Sequence, residues 1–142
     1  MNSSHDTLGS IADWFTLAVP EPGEKNQAVQ LGCHFEEVSE MADALGLSLT
    51  AETIARVADI YKKEMDRPGT VNRSELLDSL ADQIVTAVGV AHMFGMDIRG
   101  ALAEVNRSNY SKFVDGKPVF DANGKIAKPP TYSKPDLSPF VG

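Results

Sequence analysis

The chain has 142 residues, 42% of them apolar, and a formal charge of -7. That is one domain's worth of chain, able to bury a core of its own, although helical proteins of this size often gain further burial by oligomerising. The excess of acid argues against duplex DNA or an anionic membrane as a partner, and a single cysteine, Cys33, excludes an internal disulfide framework.

In chain order, residues 6 to 18 predict a short helix capped by Asp6 or Thr7, with Leu8, Ile11, Ala12, Phe15 and Leu17 as a partial apolar stripe. Its Trp14 is the one tryptophan, either a packing residue or, beside a nucleotide site, a ring that stacks on a base. Pro20, Pro22 and Gly23 end this element. A long helix follows from about Glu24 to Leu45 and closes at Gly46, a natural left-handed C-cap. Thr50 is the expected cap of a third helix reaching about Met65, with Ile54, Val57, Ala58 and Tyr61 on its inner face, and Arg67-Pro68-Gly69-Thr70 stops it. The fourth runs from Asn72 or Arg73 to Phe94 and ends at Gly95. Asp97 caps a fifth that reaches about Phe113, with Ile98, Leu102 and Val105 on its buried side.

Short loops suit antiparallel neighbours. The expected fold class is therefore all-α, an antiparallel bundle of four to five helices forming one domain over residues 1–142. Within it, residues 1–23 are an N-terminal helix and loop, 24–113 the helical core and 114–142 an extended tail. In the tail, Val119-Phe120 and Lys125-Ile126 flank Asp121-Ala122-Asn123-Gly124 as a small hairpin with Asn-Gly in its turn. Pro129, Pro130, Pro135 and Pro139 exclude a continuing helix, so the tail should run extended over the bundle or over a partner subunit. Its Lys117, Lys125, Lys128 and Lys134 are the one basic concentration, either a solubilising tail or a strap that approaches bound phosphates. No apolar run reaches the 18 or so residues that span a bilayer, and no charged-then-apolar leader opens the chain. The expectation is a soluble, cytoplasmic protein that binds neither nucleic acid nor membrane.

Two carboxylate runs fall inside these helices. Successive helical residues turn by about 100°, so Glu36, Glu37 and Glu40 share one face of the second helix, and Glu75, Asp78 and Asp82 share one face of the fourth. Apolar residues adjoin both: Leu31, Phe35, Val38, Met41 and Leu45 on one helix, Leu76, Leu77, Leu80, Ile84, Val85 and Val88 on the other. Packing the two together would leave acids along the seam. A like-charged pair at about 4 Å repels by roughly 4 kcal/mol at an effective dielectric near 20, which a divalent cation relieves. All-oxygen ligands suit Mg2+ or Mn2+, and Mg2+ commonly bridges carboxylates to phosphates. The plain alternative is a pair of solvated amphipathic helices. His34 and His92 read as packed or surface residues, and His5 lies near the terminus. No zinc-type His pair, Walker A loop or nucleophile elbow is present.

Three segments, in this order, resemble the MazG-type all-α NTP pyrophosphohydrolase superfamily, which includes dimeric dUTPases and phosphoribosyl-ATP pyrophosphohydrolases. Glu36-Glu37-x-x-Glu40 resembles its EExxE helix. The stretch from Asp82 to Gly95-Met96-Asp97 is similar to the helix that opens with an ExxD element and ends in Gly-apolar-Asp. Ala101-Leu102-x-x-x-Asn106-x-x-Asn109-x-x-Lys112-Phe113 resembles a phosphate-side element. The tail, with Asp115-Gly116-Lys117 and Lys128-Pro129-Pro130-x-Tyr132-x-Lys134-Pro135-Asp136-Leu137, looks closest to phage and bacterial members of the dUTPase-like branch. There is one departure. With Asp82 on the family's aspartate, the expected glutamate falls on Ser79, whereas Glu75-x-x-Asp78 satisfies ExxD literally, one turn upstream.

The resemblance implies a MazG-type bundle and Mg2+-dependent cleavage of the α-β phosphoanhydride of an NTP or dNTP, giving a monophosphate and pyrophosphate. It implies Glu37, Glu40, Asp78, Asp82 and, less centrally, Glu75 as metal ligands. Glu36 would orient or deprotonate the attacking water. Asn109 and Lys112 would hold phosphate oxygens, with Asn106 and Lys128 nearby, and Trp14, Phe35 and Asn109 would shape the base pocket. A homodimer or homotetramer is implied as well. The rival reading, motivated by Ser79, is a catalytically silent helical interaction protein that keeps the bundle.

Overall fold

The structure is a computed structural model that describes residues 6–122 and 125–142. It is all-α, with helices α1 (Thr7–Ala18), α2 (Glu24–Ala44), α3 (Ser48–Asp59), α4 (Arg73–Met93) and α5 (Ile98–Tyr110). Among the described residues there is no strand, only two isolated antiparallel bridges. The chain divides into two compact units, Glu21–Arg73 and the pair of segments Met1–Pro20 and Ser74–Gly142.

In the unit Glu21–Arg73, α2 and α3 form a helical hairpin. Gly46, at φ 77, turns the chain as expected, and the Leu47 N–H donates to the Ala42 carbonyl at 2.9 Å. Helix α3 begins at Ser48, so Thr50 lies inside the helix and is not its cap. Tertiary contacts set this start. The Ser39 hydroxyl, buried on α2, donates to the Ala51 carbonyl at 2.8 Å. Small residues let the two backbones come close, since Ala28, Gly32 and Ala42 on α2 and Ala51 and Ala58 on α3 are all buried. A Cβ on Gly32 would stand 2.8 Å from the Ala58 carbonyl oxygen, so only glycine fits there. The expected end of this helix near Met65 holds, but Ile60–Glu64 is π-helical, and the Met65 N–H reaches back five residues to the Ile60 carbonyl at 3.1 Å.

In the other unit, α1 packs on α5. The Trp14 indole N–H donates to the Asn109 carbonyl at 3.0 Å, and the Tyr110 hydroxyl donates to the Ser10 carbonyl at 2.7 Å. Asp6 caps α1 and Asp97 caps α5, each accepting a backbone N–H. The tail runs back antiparallel to α5: Ser133 meets Ser111, Asp136 meets Glu104, and the Asp97 N–H donates to the Phe140 carbonyl at 2.9 Å. The Phe140 ring lies against the bare backbone of Gly100. At the expected hairpin, an isolated bridge joins Phe120 and Ile126 without strands among the described residues, and the Asn123-Gly124 turn, like His5, lies outside them.

Two expectations about burial change. Leu102, expected inside, is exposed, and Ser108 is the deeply buried residue of α5, because α5 meets α1 and the tail through polar and aromatic groups. The apolar stripe of α4 is exposed too, with Leu77 at 69% and Met93 at 82%, and Ala91 is its only buried residue. Among the described residues of its unit, no helix packs along α4. No helix among them is long and apolar enough to cross a membrane.

Candidate functional site

Helix α2 presents its acids in two states. The Lys62 ammonium donates to the Glu36 carboxylate in a short ion pair, with the Lys62 side chain 18% exposed and that of Glu36 40%. The hydrogen bond to Glu36 raises the Lys62 pKa above the usual lysine range, against the opposing effect of burial. Glu37 and Glu40 lie one turn apart on α2, both exposed. The Glu37 carboxyl is pushed up from its ordinary range, first by burial, then by the charges of Glu40 and Glu36, and by a hydrogen bond with Glu40. Nearby His34 pulls the other way.

Neighbouring carboxylates repel one another, and a proton or a cation relieves that repulsion. Their oxygens suit Mg2+, a hard ion that keeps several waters beside one or two carboxylates. Among the described residues, neither unit gathers three His, Cys, Asp or Glu side chains into a metal-holding group. Phe35, on the same helix, stacks on Tyr61 with ring centroids 5.7 Å apart, and Cys33 is half-buried.

Glu75, Asp78 and Asp82 all lie exposed on α4, as does Ser79. They belong to the unit that contains α5.

Within that unit the structure gathers five residues that the sequence assigns to substrate. Asn106 donates to the Ser10 hydroxyl at 2.9 Å, and the Lys112 ammonium donates to the Asn109 side-chain oxygen at 3.0 Å. Lys112 and Lys128 both approach the Tyr132 ring, at 5.8 and 5.2 Å from its centroid. Cation–π attraction of this kind contributes about 0.5–1 kcal/mol at exposed sites. Two ammonium groups thus lie beside one ring. Trp14 stacks on Phe113 with centroids 5.4 Å apart and spends its N–H on Asn109, so it packs the α1–α5 contact.

Sequence reasoning passed over Lys62, Tyr132 and the Glu104–Arg107 pair. Arg107 grips Glu104 through two nitrogens at 2.7 and 2.8 Å. With the Asp136 backbone N–H as a second donor, this lowers the Glu104 carboxyl to about 2. Spacing at i, i+3 offers a signal for that pair. A shallow hollow where α4 passes to α5, lined by Val88, His92, Met96, Asp97, Ile98 and Arg99, holds none of the expected site residues. Comparison with family profiles, curated proteins and solved structures yields no match to this chain.

Proposed function

We propose that the protein is a Mg2+-dependent pyrophosphohydrolase, also served by Mn2+, that cleaves the α-β phosphoanhydride of an NTP or dNTP to a monophosphate and pyrophosphate. The observation that carries this is the placing of Glu36, Glu37 and Glu40 within one turn of α2, where Lys62 balances Glu36 and the charges of Glu40 and Glu36 help to raise the Glu37 carboxyl. Glu37 and Glu40 would hold the ion. When bound, it neutralises triphosphate oxygens and lowers the pKa of its water.

Glu36, fixed by Lys62, accepts a proton from the attacking water and orients it. Lys112 and Lys128 attract phosphate oxygens as point charges, and Asn109 offers its amide. Asn106 ties α5 to α1 behind them. The ring face of Phe35 would border the base. Exposed Leu77, Ile84, Val85 and Val88 on α4 support a MazG-type bundle completed in a homodimer or homotetramer. We place this activity in the cytoplasm, without nucleic acid or membrane.

The test is pyrophosphate release by the purified chain across a panel of NTPs and dNTPs with Mg2+. Release of pyrophosphate with the matching monophosphate supports the assignment. No release from any nucleotide favours the second reading, a silent helical interaction protein. Two observations speak for that reading: Ser79 stands where the resemblance expects glutamate, and α4 leaves its apolar face exposed.

A further inference from the structure

We propose that Lys62 is the positioning residue for Glu36, holding that carboxylate apart from the cation-binding pair Glu37 and Glu40 and aiming it at the attacking water. This rests on the hydrolase assignment above. Three features of the unit Glu21–Arg73 converge on it. First, the chain turns π-helical over Ile60–Glu64, and the wider turn re-aims residue 62 relative to an α-helical continuation of α3. Second, Gly32 stands one helical turn before Glu36 on the same face of α2. A Cβ there would strike both the Lys62 stem and the Ala58 carbonyl, so the lysine stem lies across bare backbone. Third, the ammonium that arrives by this route pairs with Glu36, and its own side chain is largely covered. A π-turn and a mid-helix glycine are each unfavourable in isolation, and both serve the same contact.

The consequence has opposite signs for binding and for turnover. With Lys62 in place, Glu36 is charge-balanced and fixed, so two carboxylates are left for the cation. Without it, Glu36 swings free to join Glu37 and Glu40. The cation then binds more tightly, and the water loses its oriented base. Simple damage to the fold would weaken both.

The experiment uses the full chain and its Lys62→Met and Lys62→Arg variants. Mn2+ binding is read by electron paramagnetic resonance of the free ion, and kcat and KM are read on whichever nucleotide the wild type hydrolyses. Lys62→Met should bind Mn2+ roughly three- to ten-fold more tightly, since one positive charge near the site is gone. Its kcat should fall at least about ten-fold, within the range of a lost general base, with KM little changed. Lys62→Arg should restore most of kcat. Should Lys62→Met fail to fold, Glu36→Gln, which leaves Lys62 in place, must show the same loss of kcat without a matching rise in KM. Wild-type kcat and Mn2+ affinity in Lys62→Met, or Mn2+ affinity that falls along with kcat, overturns the role of Lys62 and leaves the hydrolase intact. A wild type that hydrolyses no nucleotide removes the hydrolase assignment, and this role with it.

Discussion

Glu40→Gln separates a metal ligand from an ordinary surface acid, because it should move stability and turnover in opposite directions. Glu40 lies three residues beyond Glu37 and four beyond Glu36, so its charge takes part in two like-charge pairs on α2. Each such pair costs about 0.2–0.5 kcal/mol on a helix surface, and exposure keeps the sum near about 0.5–1 kcal/mol. For a chain of this size that raises the melting temperature of the metal-free protein by about 2–4 °C. The pH dependence follows from Glu37, whose folded pKa lies above its unfolded value. A raised carboxyl favours the fold while protonated, so its contribution is lost as pH rises from the unfolded pKa through the folded one. Burial alone keeps part of that loss in Glu40→Gln, and the remainder disappears. Melts in EDTA at pH 5 and pH 8 should therefore show the variant's advantage mainly at pH 8. Mg2+-dependent pyrophosphate release should meanwhile fall about a hundred-fold or more. Near-normal hydrolysis by Glu40→Gln removes Glu40 from the site, and a lower melting temperature at pH 8 shows that the pair is not crowded.

Other outcomes follow from single contacts. Gly32→Ala should destabilise by about 1–3 kcal/mol in urea unfolding, although alanine is the better helix former by about 1 kcal/mol, because the new methyl meets the Ala58 carbonyl at 2.8 Å. The Glu104 carboxyl, lowered to about 2, holds the tail through the Asp136 N–H. Its stabilisation is complete above the unfolded pKa and drains away as pH falls toward about 2, so hydrogen-exchange protection of residues 133–140 should persist at pH 4 and be lost near pH 2. In Glu104→Ala that protection should already be reduced at pH 7. Light scattering should report two or four copies of the wild type and one of Ile84→Asp, and a monomeric wild type at high concentration refutes α4 as a subunit contact.

The helices were legible where local chemistry alone decides them. Asp6 and Asp97 cap as their side chains demand, and Gly46 and Gly95 take the left-handed φ that stops α2 and α4. Thr50 misled because a good capping side chain lost to a tighter turn, one set by the Ser39–Ala51 bond across the hairpin. Of the candidate site, the resemblance implied Asn109 and Lys112 and the basic tail offered Lys128, yet neither gave a role to Tyr132, the ring between the lysines. Its place depends on how the prolines lay the tail along α5, which no periodicity encodes. Lys62 escaped for a related reason. Counting 3.6 residues per turn misplaces a side chain wherever the helix widens, and nothing in Ile60-Tyr61-Lys62-Lys63-Glu64 announces a π-turn.

Helix α4 marks the boundary of what an apolar stripe can say. Leu77, Ile84 and Val88 recur at helical spacing, and that spacing records that the face is meant to leave water without naming what covers it. Among the described residues of its own unit no helix does, whereas α2 and α3 bury their facing residues with alanine, glycine and serine alone. A helix that leaves Leu77, Ile84, Val85 and Val88 exposed has its hydrophobic gain still to make, in a contact other than one with a described helix of its unit. The acids of α4 share that helix with the uncovered stripe. Whatever covers the stripe therefore also fixes where Asp78 and Asp82 are held, so Ile84→Asp should lose, together with assembly, any nucleotide hydrolysis that the wild type shows.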